Sequence, residues 1–102
     1  MKYQLVIQFQ ASSLSDLDQL TAFEDALSEE IGDSSLVDGH DFGSGELNIF
    51  VLTDLPRFAF RQVQEVVQRK QMQQEMRAAY RDLDEDSYVI LWPPDLIEFK
   101  IA

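Results

Sequence analysis

Apolar and polar positions alternate most clearly at the start of the chain. From Tyr3 to Gln10 every odd-numbered residue is apolar, and three of the four even-numbered ones are glutamine. A period of two places successive side chains on opposite faces of a strand. The pattern predicts a strand over residues 3–10 that buries its odd-numbered face.

A helical period follows. Ser13 or Ser15 can cap a helix, and Gly32 suits its C-terminal end, where a positive φ costs glycine little. The apolar residues between them fall near one helical face. The sequence thus predicts an amphipathic helix over residues 15–31 whose apolar residues are Leu17, Leu20, Phe23, Leu27 and Ile31.

Two strands are predicted next. The first, Leu36 to Phe42, is weak, and Gly39 within it indicates a bulge or a close backbone approach. The loop 43–45 (Gly-Ser-Gly) is typical of a hairpin. The second strand, Glu46 to Thr53, is apolar on both faces, which favours a central position in the sheet.

A second helix is predicted over residues 56–80, with Asp54 as its cap and Pro56 in its first turn. The five-residue step from Val67 to Met72 puts two apolar clusters out of phase by about 140°. Either the apolar stripe turns along this helix, or its distal end packs on something other than the sheet.

The end of the chain contains an acidic connector and one or two strands. Residues 88–92 form an apolar run that stops at two prolines, and residues 96–101 alternate weakly. We therefore predict a strand over 88–92 and a possible short extra strand after it. The face parity of the 88–92 strand stays open.

The order of these elements predicts one α+β domain over residues 1–102, because the chain is too short for two cores. With right-handed crossovers, the order strand–helix–strand–strand–helix–strand gives a ferredoxin-like βαββαβ two-layer sandwich. Its sheet is antiparallel and both helices cover one face. An α+β fold with the same elements and other connections is the alternative.

In this architecture the second sheet face is exposed. Its partly apolar surface needs a cover, and a homodimer is the interpretation we favour over a ligand cleft or another protein. The predicted binding surface consists of Gln4, Val6, Gln8, Asn48, Phe50 and Trp92.

Charge is distributed unevenly. The net charge is −11, of which residues 1–51 contribute −9 and residues 52–102 contribute −2. An acidic face attracts a basic partner, although excess acid can also serve only to keep a small protein soluble. The negative charge opposes binding to the phosphate backbone of nucleic acid. The predicted acidic patch consists of Asp16, Asp18, Glu24, Asp25, Glu29 and Glu30.

Other classes of protein are disfavoured by composition. The chain has no cysteine, which excludes disulfides and thiol chemistry. No apolar run reaches the roughly 18–20 residues that span a bilayer, and the first residues do not resemble a signal peptide. We expect a cytoplasmic protein with neither membrane nor nucleic acid as a partner.

His40, the only histidine, is the weak candidate for chemistry. It lies between Asp38 and Asp41, and an aspartate–histidine pair can orient a general base or supply two metal ligands. A metal site needs a third ligand, for which only Asp33 or Glu46 is near. A surface histidine in a flexible turn is the simpler interpretation, so we predict no metal, no cofactor and no definite catalytic residue.

The segment Val37 to Phe50, VDGHDFGSGELNIF, resembles one in small uncharacterised bacterial proteins of this length. The resemblance implies a bacterial, cytoplasmic, single-domain protein and carries no activity, cofactor or site.

Two functions remain as hypotheses. The favoured one is a non-enzymatic module, comparable by composition to immunity or adaptor proteins, that docks a basic partner. The alternative is a small-molecule sensor or enzyme of the dimeric ferredoxin-like type. That protein would use a sheet-face cleft near residues 38–50.

Overall fold

The computed structural model describes residues 1–10, 17–43 and 45–101. The predicted helix caps Ser13 and Ser15, the acidic Asp16 and the loop residue Ser44 lie outside the described residues. The elements are β1 (Tyr3–Gln10), α1 (Leu17–Ile31), β2 (Ser35–Gly43), β3 (Glu46–Thr53), α2 (Pro56–Arg69), a 3-10 turn (Gln73–Glu75), β4 (Arg77–Asp82) and β5 (Val89–Trp92).

The described strands form one antiparallel sheet in the order β2-β3-β1-β4-β5. Strand β1 is central, with Leu5 opposite Val51 of β3 on one side and Tyr80 of β4 on the other. The prediction of an α+β fold with an antiparallel sheet and two helices is confirmed. The five strands and their order differ from the simple four-strand sandwich.

One sheet face, which we call the helix face, holds the main core. Odd-numbered residues of β1 and β3 pack there against the apolar sides of both helices, as the alternation predicts. Phe9 of β1 and Phe23 of α1 meet edge to face with ring centroids 5.5 Å apart. The largest buried side chains of this core are Leu5, Ile7, Phe9, Leu20, Phe23, Leu27, Leu47 and Ile49.

Helix α1 ends where the sequence predicts. Gly32 has φ 62°, and its N–H donates to the Ser28 carbonyl at 3.0 Å. Glycine adopts this left-handed conformation without a steric penalty, so the backbone can leave the helix at this point.

Helix α2 ends at Arg69, so the prediction of a helix to residue 80 is wrong. Gln71 adopts a left-handed conformation (φ 59°) and donates to the Gln68 carbonyl, while the Met72 N–H donates to the Val67 carbonyl. This bond pattern closes a helix and usually has glycine at the left-handed position. The phase break between Val67 and Met72 therefore marks the end of the helix.

Residues 77–80, predicted as the distal end of this helix, instead belong to β4, a strand that the sequence pattern does not predict. Ala78 lies opposite Ile7 on the helix face, and Ala79 lies opposite Val6 on the other face. Both alanines are fully buried, because β4 is covered on both sides. Alanine favours a helix locally, so pairing with β1 overrides its propensity.

Strand β2 contains the predicted bulge. Val37 pairs with Val51 and Gly39 pairs with Phe50, which leaves Asp38 without an opposite residue. Gly39 has φ 121°, a conformation that side chains disfavour. The bulge resets the alternation, so His40 lies opposite Ile49 on the helix face.

The possible extra strand over residues 96–101 does not form. Residues 93–101, which we call the strap, have no regular structure and pack across the second sheet face, the strap face. Phe99 of the strap, Val6 and Ala79 form a small second core. The residues packed around it are Phe50, Tyr88, Ile90, Leu96 and Ile101.

Strand β5 has a mixed face parity. A regular strand would place either Tyr88, Ile90 and Trp92 or Val89 and Leu91 on the second sheet face, and neither alternative describes it. Ala79 pairs with Ile90 and Ala78 pairs with Trp92, so Leu91 is an extra residue. Because of this irregularity, Ile90 packs on the strap face while Trp92 packs against the main core.

Candidate functional site

The predicted binding surface is largely buried within the single chain, so the prediction that this face is open is wrong. Val6 and Asn48 are fully buried, and Gln8 is 2% exposed. Gln4 and Phe50 are half-buried, and Trp92 belongs to the helix side. A homodimer was predicted because this sheet face needed a cover. The strap of the same chain covers the face, so the need for a cover no longer argues for dimerisation.

Two amide side chains lie beneath the strap. Gln8 Nε2 donates to Asn48 Oδ1 at 3.0 Å and to the Lys100 carbonyl at 2.9 Å. Asn48 Nδ2 is buried and has no hydrogen-bond partner. The strap face therefore holds the strap by a main-chain carbonyl and still contains an unused donor.

The strap carries its own ion pair. Lys100 Nζ lies 2.9 Å from Glu98 Oε1, and both side chains are largely exposed. The hydrogen bond to Glu98 and the charge of that carboxylate raise the pKa of Lys100 above its usual value. Lys100 thus contacts the sheet through its backbone and keeps its charge in solvent.

His40 contacts Glu24, an acid of the predicted acidic patch, and not one of the acids near it in the sequence. Its Nδ1 lies 3.2 and 3.3 Å from the two carboxylate oxygens of Glu24 on α1. The ring also meets Phe42 edge to face at 5.7 Å. The expected pairing with Asp38 is replaced, because the bulge shifts His40 to the helix face and α1 lies there.

The proposed metal ligands do not assemble. Within the described ranges, no three histidine, aspartate or glutamate side chains come together to hold a metal ion. His40 and Glu24 are a pair without a third member, and Asp33, Asp41 and Glu46 do not complete it. The geometry at His40 is that of a partly exposed side-chain contact with one carboxylate.

Replacing His40 by alanine should change the free energy of unfolding by less than about 1 kcal/mol, because a partly exposed pair contributes little. Urea denaturation of this variant and of Glu24→Gln measures the effect. Similar small losses in both are expected. A loss above about 2 kcal/mol in His40→Ala alone would assign His40 a structural role beyond the pair.

The acids of α1, which we call the acidic face, are Asp18, Glu24, Asp25, Glu29 and Glu30. Asp18, Asp25 and Glu29 are exposed, and Glu30 binds Arg69 of α2 at 2.9 Å. Helix α1 packs beside the edge strand β2, where Asp38 is exposed at the bulge, whereas Asp41 lies opposite Asn48 and so belongs to the strap face. Of the predicted acidic patch, only Asp16 lies outside the described residues.

Two grooves lie away from residues 38–50. One of about 470 Å³ runs between α1 and α2, and its lining includes Glu29, Glu30, Arg69 and Lys70. The other, of about 280 Å³, lies at the start of α2 beside Tyr3 and Tyr80. The strap fills the sheet face, so the sensor or enzyme hypothesis loses the cleft that it requires.

In the described part of the chain, neither helix has the length and apolar character needed to cross a bilayer. Comparisons with protein-family models, with curated proteins and with solved structures gave no match.

Proposed function

We propose that the chain is a non-enzymatic protein-binding module that docks a basic partner through the acidic face. The observation that carries this proposal is the absence of any lysine or arginine from residue 3 to residue 56. This stretch includes α1 and β2, which pack side by side. The lack of bases in both of these neighbouring elements supports docking of a basic partner there.

Three acids of the acidic face, Asp18, Asp25 and Glu29, are exposed and available to a partner, while Glu24 and Glu30 contact His40 and Arg69. Asp25 and Glu29 lie one turn apart on the exposed side of α1, where like charges disfavour the helix slightly. Arg69 approaches this face at Glu30. A surface of one sign attracts a basic partner over about 10 Å or less at physiological salt and raises its association rate.

A more detailed proposal for the fold also bears on where the acids of α1 lie in the sheet. We propose that β1 to β4 with α1 and α2 form the ferredoxin-like unit, and that β5 is added beside β4. In this unit α1 connects central β1 with edge strand β2, which brings the acids of α1 to the edge of the sheet.

The same charges restrict the class of partner. Two copies of the acidic face repel each other, and a polyanion would be repelled as well. We therefore propose a basic protein as the partner, in a bacterial cytoplasm, and not nucleic acid or a second copy docked at this face.

Reversing two charges of the acidic face should abolish partner capture. We expect Asp25→Lys with Glu29→Lys to lower the association rate of a basic partner about tenfold or more, because steering depends on local charge. The immobilised chain is used to capture proteins from a bacterial lysate. A captured protein is then purified, and its kinetics are measured from about 0.05 M to about 0.5 M salt.

The matched control is Asp84→Lys with Asp86→Lys, which changes the net charge equally at exposed sites on the β4–β5 connector. Capture by this control and a steep loss of association rate with salt are expected. Equal loss in both double variants, or an association rate independent of salt, would contradict docking at the acidic face.

A further inference from the structure

Strand β2 is an open edge of the sheet. Among the described residues its neighbouring strand is β3, and no backbone hydrogen bond outside this pair involves β2. In an antiparallel pair only every second residue bonds to the partner strand, so the others direct their N–H and C=O groups outwards. The outer side of β2 therefore offers main-chain donors and acceptors that an added strand can use.

Two apolar side chains of β2 are accessible beside this edge. Leu36 lies opposite Leu52 on the strap face and is 52% exposed, and Phe42 lies opposite Leu47 on the helix face and is 53% exposed. The side chains of an added strand alternate between the same two faces. Such a strand can therefore cover an apolar side chain on each face while its main chain pairs with β2.

The charges beside β2 are acidic on both faces. Asp38 is exposed at the bulge and Asp41 is exposed on the strap face. On the helix face, Glu24 of α1 reaches β2 at His40. Neither α1 nor β2 contains a lysine or arginine. An added segment with lysine or arginine is therefore attracted on both faces.

The bases of the strap face do not neutralise this edge. Arg77 of β4 lies in the same row as Asp41, but three strands along, which is about 14 Å at the spacing of neighbouring strands. Physiological salt screens exposed charges beyond about 8 Å. Lys100 has its Nζ 2.9 Å from Glu98, and its carbonyl accepts from Gln8 on the central strand.

A second copy of the chain is a poor occupant of this edge. Antiparallel pairing of β2 with itself would bring Asp38 and Asp41 of both copies together, and like charges across a strand pair are destabilising. Charged side chains and bulges, such as the one at Gly39, are features that keep an edge from pairing with its like. Bases on a different chain turn the same acids from repulsion to attraction.

We propose that β2 is a strand-addition site, at which an extended segment of the basic partner protein joins the sheet. Main-chain hydrogen bonds to β2 hold the segment, and its alternating basic and apolar side chains select it. This inference rests on the proposed function and specifies it, because the acidic face attracts the partner and β2 then binds one segment of it.

The test uses three synthetic peptides of one sequence, Lys-Val-Lys-Val-Lys-Val-Lys, with blocked ends. The first is unmodified, the second has N-methylated valines and the third has N-methylated lysines. Alternate residues of a strand direct their N–H groups to the same edge, so each methylated peptide lacks the donors of one edge and keeps its charge. Each is titrated into the isotope-labelled full chain to about 1 mM, because a short flexible segment binds weakly.

NMR locates the bound peptide. The unmodified peptide should shift the main-chain amide signals of residues 36–43 and slow hydrogen exchange at alternate amides among them, because the outward N–H groups become bonded. A strand pairs with β2 through one of its edges, so one methylated peptide should bind and the other should not. Equal binding of the two methylated peptides, whether retained or lost, would overturn the proposal.

Two double variants of the full chain test the position of the site. Asp38→Lys with Asp41→Lys should weaken binding of the unmodified peptide about tenfold or more, because repulsion replaces attraction at the edge. Asp84→Lys with Asp86→Lys changes the net charge equally at exposed positions and should bind as the wild-type chain does. Equal weakening in both would mean that the peptide senses only net charge, and would overturn strand addition.

Failure of strand addition and failure of the proposed function give different results. Peptide shifts confined to α1 would overturn strand addition while supporting the acidic face. The proposed function fails when a captured partner associates equally fast with the wild-type chain and with Asp25→Lys, Glu29→Lys. Strand addition is decided by the two methylated peptides, whose charge is the same.

Discussion

Replacing Phe23 by alanine should lower the free energy of unfolding by about 3–5 kcal/mol. Phe23 is fully buried on α1 and meets Phe9 of β1 edge to face at 5.5 Å. The change removes a large apolar side chain and leaves a cavity between helix and sheet, which the surrounding residues fill only partly. Domains of this kind have about 5–15 kcal/mol of stability in total, so much of it is lost.

Phe58→Ala is the matched control. Phe58 lies on α2 with half of its surface exposed, so its replacement should cost less than about 1 kcal/mol. Urea unfolding followed by the fluorescence of Trp92 measures both variants. Similar losses at Phe23 and Phe58 would show that the main core is not arranged as described.

The sequence predicts the elements whose signals are local. In β1 a period of two places Leu5, Ile7 and Phe9 on one face, and the structure buries all three in the main core. In α1 the apolar spacing and Gly32 indicate both the helix and its end. These signals need no knowledge of the neighbouring elements, because strand and helix periods act within one segment.

The boundary between α2 and β4 could not be predicted in this way. The residue that leaves the helix is Gln71, and glutamine is a good helix former that gives no stop signal. The strand that follows, with Ala78 and Ala79, exists because β1 offers an open edge. The phase break after Val67 was the one local sign that the helix ends early.

The strap shows a second limit of pattern analysis. Leu96 and Ile101 pack on the sheet while Ile97 remains exposed, so the alternation does not belong to a hydrogen-bonded strand. The bond that holds the strap joins residues 92 positions apart, from Gln8 to Lys100. A contact of that separation depends on the finished sheet and leaves no periodic trace in the sequence.

The candidate sites likewise differ in whether they depend on one element or on the contact of two. The acidic residues of α1 could be recognised in advance because they all lie within one helix that contains no lysine or arginine. The partner of His40 could not, because Glu24 lies 16 residues away on another element and the bulge in β2 decides which face His40 takes. Charge along a helix can be predicted from the sequence, whereas a pair across two layers needs the register of the sheet.

Replacing Asn48 by aspartate should destabilise the chain by about 3 kcal/mol or more at neutral pH, because it places a charge in a fully buried position. The variant keeps the size of the side chain and the acceptor for Gln8 Nε2. The substitution removes the unpaired donor Nδ2 and replaces it with a carboxylate oxygen. The residue opposite this carboxylate on β2 is another acid, Asp41. Burial and this like charge raise the pKa of the new carboxyl in the folded state.

The sign of the pH dependence follows from that raised pKa. Between the pKa of the unfolded chain, about 3.9, and the higher pKa of the folded chain, the folded variant binds a proton that the unfolded chain does not. The penalty is therefore full at neutral pH and disappears as the pH falls to about 4. Urea unfolding of Asn48→Asp and of the wild-type chain from pH 7.5 to 4 measures how this loss of stability changes with pH. The control is Asp41→Asn at the exposed neighbouring position, whose unfolding free energy should differ little from wild type at any of these pH values. A penalty independent of pH would mean that the new carboxylate reaches solvent, and the strap would then not close over Asn48.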